Sequence, residues 1–443
     1  GASSAGNNIS FSSTVNGAAA NTQSITLNSG TTGTISVTGA IGGTTSLASL
    51  TVTNSGGTTF SSDVTTGTSI VLTNSSASTL ITFNGNLSTS TLNVIGSANA
   101  YNVRLIGASN SVTNAVTFGN TGTLVLGDAA TDSFTFSGGI TVTAPSSVTL
   151  AGTFTSGAGW NVGDSNTGIT LAANTTITTS AANANLTLGG AVTGATYTLT
   201  LSAGTATITF GSTASGLGNT SLTADEINLS GSFAGSGTLT IVPATLSRNI
   251  YLGSTDNSNT SVLNLTTTEL GYLADGFSAI TIGSGSYTGN LSSQANISFK
   301  DPTTFTSSGT FTLGHNLAAT ASTNAAFTIN GPLTWNDGDI TTSSGAISLN
   351  GNITLGGSGT RTVSSTSGVV TVGDATSDTV TGNTTNLTIN SGSAETTINS
   401  SLNNIGTLGL GTSSQTGTIT LNQTFTVNTL TTGSSSYSIV ITE

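Results

Sequence analysis

What most constrains this chain is an alternation of period two, repeated in short runs almost from one end to the other. Ile25-Thr26-Leu27, Ile35-Ser36-Val37, Ile81-Thr82-Phe83, Val116-Thr117-Phe118, Leu186-Thr187-Leu188, Phe311-Thr312-Leu313 and Leu387-Thr388-Ile389 each set a hydroxyl residue between two apolar ones. Such a pattern sends alternate side chains to opposite faces of a strand, one toward a core and one toward water. Thr suits the wet face, because its branched Cβ favours strands while its hydroxyl stays hydrated. Turn pairs follow many of the runs, among them Asn84-Gly85, Asn330-Gly331, Asn350-Gly351, Gly42-Gly43 and Gly138-Gly139. They are expected to supply the positive φ of sharp corners. Strands this brief leave two architectures, tandem β-sandwiches or a solenoid that turns a corner every few residues.

Spacing decides between them. Phe60 and Phe83, Phe118 and Phe136, Phe136 and Phe154, Phe210 and Phe233, Phe277 and Phe299, and Phe305 and Phe327 fall 18 to 23 residues apart. Such a period belongs to repeat architectures, whereas sandwich domains would repeat near 100 residues. The expected fold is therefore all-β, a parallel β-helix (β-solenoid) running as one continuous domain over residues 1–443. Taking ~20 residues per coil gives roughly 20 coils and, at about 4.8 Å per coil, a rod on the order of 100 Å long. Phe83, Phe136, Phe154 and Phe299 are expected to point inward in a single apolar column. A longer echo, Gly127-Asp128-Ala129-Ala130-Thr131-Asp132 against Gly373-Asp374-Ala375-Thr376-Ser377-Asp378, reads as a corner in which Asp caps backbone amides. Its sharper alternative is a calcium clip.

Composition narrows the function. Ser, Thr, Asn and Gln make up nearly half of the chain, and the charged residues are 4 basic against 16 acidic, a net charge of −12. Disorder would explain such polarity, but disordered segments lack the β-branched and aromatic residues that recur here. The negative charge, with no basic cluster, argues against nucleic acid. With no Cys there is neither a disulfide framework nor a Cys-ligated zinc site, which suits an extracellular polymer that must avoid stray cross-links. No apolar run is long enough to span a membrane as a helix. The chain lacks Met and opens Gly1-Ala2-Ser3-Ser4, so a processed product or a piece of something longer is expected.

One segment, about 255–280, breaks the alternation as an irregular corner insertion. Thr266 followed by Glu269 matches a capping box, Leu270 and Leu273 give an i,i+3 apolar face, and Gly276 is placed to end the turn. A short helical turn is expected near 266–275. The stretch Asn264-Leu265-Thr266-Thr267-Thr268-Glu269-Leu270-Gly271-Tyr272-Leu273-Ala274-Asp275-Gly276-Phe277, followed by Ile280-Thr281-Ile282-Gly283, resembles a segment of very large bacterial surface exoproteins of the filamentous-haemagglutinin-like, β-strand-repeat adhesin type. The resemblance covers about 30 residues; elsewhere the likeness is one of composition and strand rhythm. It implies a right-handed parallel β-helix, export, and a role in adhesion or a surface layer. No secretion domain or translocator typical of that family is recognisable, which leaves the export route and the anchor open.

Catalytic signatures are scarce. The sole lysine, Lys300, follows Phe299, so a P-loop is excluded. A Ser-His-Asp triad would need His315, the single histidine, and no Gly-x-Ser-x-Gly elbow accompanies it; a corner or surface position is expected. The enzyme class with some support is a β-helix polysaccharide hydrolase or lyase, which needs facing carboxylates. Asp337 and Asp339 are the local candidates, as i and i+2 on one strand face, with Trp335 beside them to stack on a sugar. A lyase would add a strong base, yet Arg104, Arg248, Lys300 and Arg361 look scattered. Asp256, Asp275 and Asp301 form a second acidic set, one coil apart, lining a face or marking three solvated corners. Ice binding would require Thr-x-Thr at one fixed position of every coil, and the partners of Thr change along the sequence.

The reading that follows is not an enzyme but an extracellular structural or adhesive β-solenoid at a bacterial cell surface, forming a fibre, filament or layer, with the polysaccharide hydrolase or lyase as the alternative. No catalytic, cofactor-binding or metal-ligating set is expected. Neither end shows a cap: Asn8-Ile9-Ser10-Phe11 begins the alternation and Ser438-Ile439-Val440-Ile441-Thr442-Glu443 carries it on. An uncapped coil is an open edge that invites strand pairing. Ile9, Phe11, Ile439, Val440 and Ile441 are therefore the expected assembly residues. The partners are other copies in a head-to-tail polymer, other surface or matrix components, or a glycan, with no nucleic acid and no membrane insertion. A covalent continuation of one giant chain would leave the same signature.

Overall fold

In the computed structural model, which describes residues 6–73, 76–319, 325–411 and 414–442, short strands stack in parallel as a β-solenoid of about 19 turns. Contacts divide the chain into two compact units. The first runs through Asn219 and takes in Leu229–Gly231; the second comprises Thr220–Asn228 and the chain from Ser232 onward.

In the first unit, a coil is made of three strands such as Leu80–Phe83, Leu87–Thr89 and Thr91–Val94. They pair in parallel with Asn102–Leu105, Ser109–Val112 and Val116–Phe118 of the next coil. Because the pairing is parallel and in register, each side chain lies over its counterpart one coil away. Phe11, Val37, Phe60, Phe83, Leu105, Leu126, Leu150 and Leu171 form one such column. The Phe60 and Phe83 rings stack at 4.6 Å. A core made of columns needs apolar residues only at alternate positions, which is the two-residue pattern of the sequence.

The second unit repeats the device. Leu222, Ile241, Ile282, Phe305, Ile329, Leu349, Val372, Ile398, Leu421 and Ile441 stand one above another facing inward. On the outer face of the same strands, Ser221, Thr240, Thr281, Thr304, Thr328, Ser348, Thr371, Thr397 and Thr420 form an unbroken hydroxyl column. Thr residues whose partners shift along the sequence thus do fall at one fixed position of the coil once folded.

The aromatic expectation is corrected in one respect. Phe83, Phe136, Phe154 and Phe299 are all buried, but they do not share a column. Phe154 stacks on Phe134 at 4.9 Å, and the register sets Phe136 over Ser156. Phe299 belongs to the second unit and meets Phe305 and Phe327 edge-on. Inward positions two residues apart begin separate columns, so similar sequence spacings do not place rings in one stack.

Corners are held by side chains reaching one coil along. Asn86 Oδ1 accepts from the Ser109 N–H at 2.7 Å, Asn102 from Thr123 at 2.7 Å, Asn290 from Thr310 at 2.9 Å and Asn316 from Asp339 at 2.9 Å. Asn therefore satisfies backbone donors that the strands leave free at each bend. The duplicated corner behaves as the sequence suggested: Asp132 Oδ2 accepts from the N–H groups of Asp128 and Ala129, and Asp378 Oδ2 from those of Asp374 and Ala375. Gly127 and Gly373 open these turns at φ +77° and +82°. Gly85, by contrast, has no positive φ; a Cβ there would stand 2.2 Å from the Ser62 carbonyl carbon.

Truncating one inward ring tests the stacking. Phe154→Ala removes a stack on Phe134 and an edge contact to Trp160, and should cost about 3–5 kcal/mol. Coils contact only their neighbours, so the damage should remain regional. Hydrogen exchange should accelerate in strands near residues 123–178 and stay unchanged in those of residues 327–421. Uniform acceleration would contradict this account.

Candidate functional site

Three places depart from the plain ladder: the two outermost described strands, the corner at Trp335–Asp339, and the insertion around the helix.

Ile9–Phe11 pairs with Ile35–Val37, and Ile439–Ile441 with Ile419–Leu421, in parallel register. Among the described residues each has this single strand partner. Ile439 and Ile441 continue the inward columns of Ile419 and Leu421, and Val440 continues the hydroxyl column over Thr420. Ile419 and Leu421 are fully covered, whereas Val440 is 41% and Ile441 53% exposed. Ile9 and Phe11 are half-buried in the same way. Glu443, the last residue of the expected run, lies outside the described residues.

The structure rearranges the Trp335 corner. Trp335 ends the strand Leu333–Trp335 facing inward, 1% exposed, with its Nε1–H donated to the Gly338 carbonyl at 2.9 Å. Its ring belongs to the core and is not available to stack on a sugar. Asp337 and Asp339 do not share a strand face either. They flank Gly338, at φ +76°, in the bend before Ile340–Thr342. Asp339 Oδ1 accepts from the Thr362 N–H at 3.0 Å, and Asp337 pairs with Arg361 at 3.4 Å. Arg361 looks scattered in the sequence, yet here it has a specific role. It is 1% exposed and its guanidinium donates to the carbonyls of Trp335, Asn336, Gly356 and Ser358, clamping two successive corners.

His315 occupies a corner after Phe311–Leu313, half-buried, with Nδ1 3.3 Å from the Ser293 carbonyl oxygen. The acidic set is regrouped. Asp301 is 3% exposed and its Oδ1 accepts from the Gly276 N–H at 2.9 Å. Burial raises its carboxyl above the ordinary range; the Gly276 and Phe277 amides oppose this, and the adjacent Asp275 carboxylate reinforces it. Asp256 lies apart from this pair, in the loop after Ile250–Ser254. Hydrogen bonds from the Ser258 hydroxyl and backbone hold its carboxyl below the usual value.

The insertion carries the densest electrostatics. The helix Thr267–Tyr272 begins with the expected capping box: Thr266 Oγ1 accepts from the Glu269 N–H at 3.1 Å, and Glu269 Oε2 accepts from the Thr266 N–H at 2.9 Å. Leu270 and Leu273 are buried beneath it. Alongside lie Asp225, Glu226 and Arg248, with Arg248 3.7 Å from Asp225. Glu226 Oε2 accepts from the Asn264 side-chain amide at 3.2 Å and its backbone N–H at 3.4 Å, while Oε1 is buried without a hydrogen-bond donor. Arg248 thus pairs with Asp225 and lies near Glu226, which also feels the Glu269 charge. Burial pushes the Glu226 carboxyl up to about 7, the Asn264 hydrogen bonds act against it, the Glu269 charge adds to it, and Arg248 offsets part. The sequence marked the helix but not Glu226, which sits in an ordinary-looking strand far from it. Among the described residues no group of three or more His, Cys, Asp or Glu is placed to hold a metal ion, and no helix is long and apolar enough to cross a membrane.

A carboxyl whose folded pKa is raised favours folding while protonated, and that contribution is lost as pH rises. For Glu226 the loss falls between its ordinary value of 4.5 and about 7. Glu226→Gln keeps an acceptor for Asn264 and cannot ionise. Relative to wild type it should gain ~2–3 kcal/mol on going from pH 4.5 to pH 8, read by urea unfolding. A difference that does not change with pH would show that Glu226 is not strained by its charge.

Comparison of the chain with protein-family models, with curated proteins and with solved structures yields no match in any of the three.

Proposed function

We propose that this protein is a non-enzymatic structural element, an extracellular β-solenoid of a bacterial cell surface that builds a fibre, filament or layer by end-to-end assembly. The observation that carries the reading is a core of in-register columns that a further coil of the same kind would extend. A coil in this fold is complete only when another coil lies on each side, covering its apolar positions and pairing its backbone. Ile439 and Ile441 stand over the covered Ile419 and Leu421 and are themselves half-buried and exposed in turn, and Ile9 and Phe11 are half-buried beside Ile35 and Val37. A second copy of the chain, presenting Ile9–Phe11 to Ile439–Ile441, would extend both the columns and the ladder. Contacts of this head-to-tail kind propagate as open filaments. The surface location and adhesive role draw support from the resemblance of the insertion to surface exoproteins, and from a Cys-free chain wetted by hydroxyls and amides.

Negative-stain electron microscopy of the purified chain decides it. Wild type should form filaments one solenoid wide, and Ile439→Lys with Ile441→Lys should remain dispersed with its strand circular dichroism unchanged, since their strand pairs on one side only among the described residues. Dispersed wild-type particles at high concentration would sink the assembly reading, and filaments from the double variant would move the contact elsewhere.

A further inference from the structure

On the sheet that carries Ile250–Ser254, the outer face beyond the insertion is a hydroxyl column of Ser292, Thr312, Thr334 and Thr354. At the insertion it is roofed. Tyr251, on Ile250–Ser254, stands in register with Asn264 on one side and Ser292 on the other, all three facing away from the inward Ile250, Leu263 and Leu291. Yet Asn264 is only 1% exposed, because the loop 255–262 folds back over it. That loop is fixed rather than slack. Arg248 Nη2 donates to the carbonyls of Thr260 at 2.5 Å and Val262 at 3.0 Å, and the Asn264 amide donates to the Asn259 carbonyl at 3.0 Å. Asp256 Oδ1 takes the Ser258 N–H at 2.9 Å and Asn259 Oδ1 the Ser261 N–H at 3.1 Å, closing two further turns. Between loop and strands lies a recess of about 270 Å³ lined by Tyr251, Ser254, Asp256, Asn259 and Gln294 among others.

We propose that this recess binds a neutral sugar unit of a glycan. Its lining offers an aromatic ring beside side-chain amides and hydroxyls, groups that both donate and accept, as a polyhydroxylated ring requires. The volume lies just below the roughly 300–1,000 Å³ of drug-sized pockets, enough for a sugar ring or two. No lysine or arginine lines it, while the Asp256 carboxylate does, which disfavours phosphate, sulfate and uronate groups. Hydrogen-bonding capacity is left unmet in its lining, where the Ser254 hydroxyl is buried without a partner. A recess held open by its own hydrogen bonds loses little entropy on binding. The inference stands on the recess alone and does not depend on whether the chain polymerises.

The test is an array of defined oligosaccharides probed with the full chain. The neutral arm carries hexose and N-acetylhexosamine oligomers, and the acidic arm polygalacturonate and sulfated glycans. Any neutral hit is then titrated by calorimetry. Binding should appear in the neutral arm, and Tyr251→Ala and Gln294→Ala should each weaken it about tenfold or more, as expected for losing a ring contact or a hydrogen-bond partner. Both side chains lie outside the packed core, and unchanged thermal unfolding verifies that each variant is folded. Asp256→Asn should admit acidic oligomers that wild type refuses. No neutral binding at millimolar oligosaccharide, binding confined to the acidic arm, or binding indifferent to both alanine variants would each overturn the proposal.

Discussion

Everything else in this molecule depends on parallel, in-register pairing of one coil's backbone with the next. That pairing fixes a spacing of about 4.8 Å between equivalent positions and forces whatever occupies a position to tolerate a copy of itself directly above and below. Leu, Ile, Val and Phe tolerate it inside, where Leu105, Leu126 and Leu150 stand one above another, all buried. Thr and Asn tolerate it outside, since each can donate to one neighbour and accept from another. Asn330 does so, accepting from the Asn350 amide at 2.9 Å through its Oδ1 and donating its own amide to Thr306 Oγ1 at 3.2 Å.

The same constraint explains why only 5% of the residues are charged. Two like charges at this spacing repel by about 1 kcal/mol in water and by about 4 kcal/mol near a protein surface, and each inner member of a column has two such neighbours. Opposite charges escape the penalty. Arg104 lies 24 residues before Asp128, and Arg361 24 residues after Asp337. Arg248 follows Asp225 at a similar interval and lies beside it. Three of the four cations therefore sit about one coil from a carboxylate. The interval that arranges the core also arranges the charges.

This shows what was legible in the sequence. Strand, face and coil length all follow from local alternation and its recurrence, and the capping box at Thr266 and Glu269 and the Asp132 and Asp378 corners follow from short-range hydrogen-bonding rules. What was not legible depends on coil-to-coil register. The arginines looked scattered because their partners lie a full coil away. Asp337 and Asp339 looked like neighbours on a strand face because nothing in Trp335-Asn336-Asp337-Gly338-Asp339 says that the strand stops at Trp335. Likewise Phe154 was assigned to Phe136 when a shift of two residues joins it to Phe134. Glu226 was invisible as a site because its environment is built by Arg248, Asn264 and Glu269, which local sequence does not connect to it.

Where a repetitive scaffold can carry chemistry follows from the same logic. A ladder position is held by its neighbours: placing an unusual side chain there disturbs the coils on both sides, and an ionisable one meets the repulsion just described. An insertion relaxes that rule, because its loop residues between the paired strands need no counterpart one coil away. The segment from Ser254 to Phe277 uses that freedom. It supplies the single helix among the described residues, closes a roof over an outer strand face, and brings Asn264 and Glu269 up to Glu226, near which Arg248 pairs with Asp225. The cost is a carboxylate that burial makes hard to ionise at neutral pH. That carboxylate, Glu226, sits on the ladder strand Thr220–Leu229, so the interruption places its strain on the regular strand beside it.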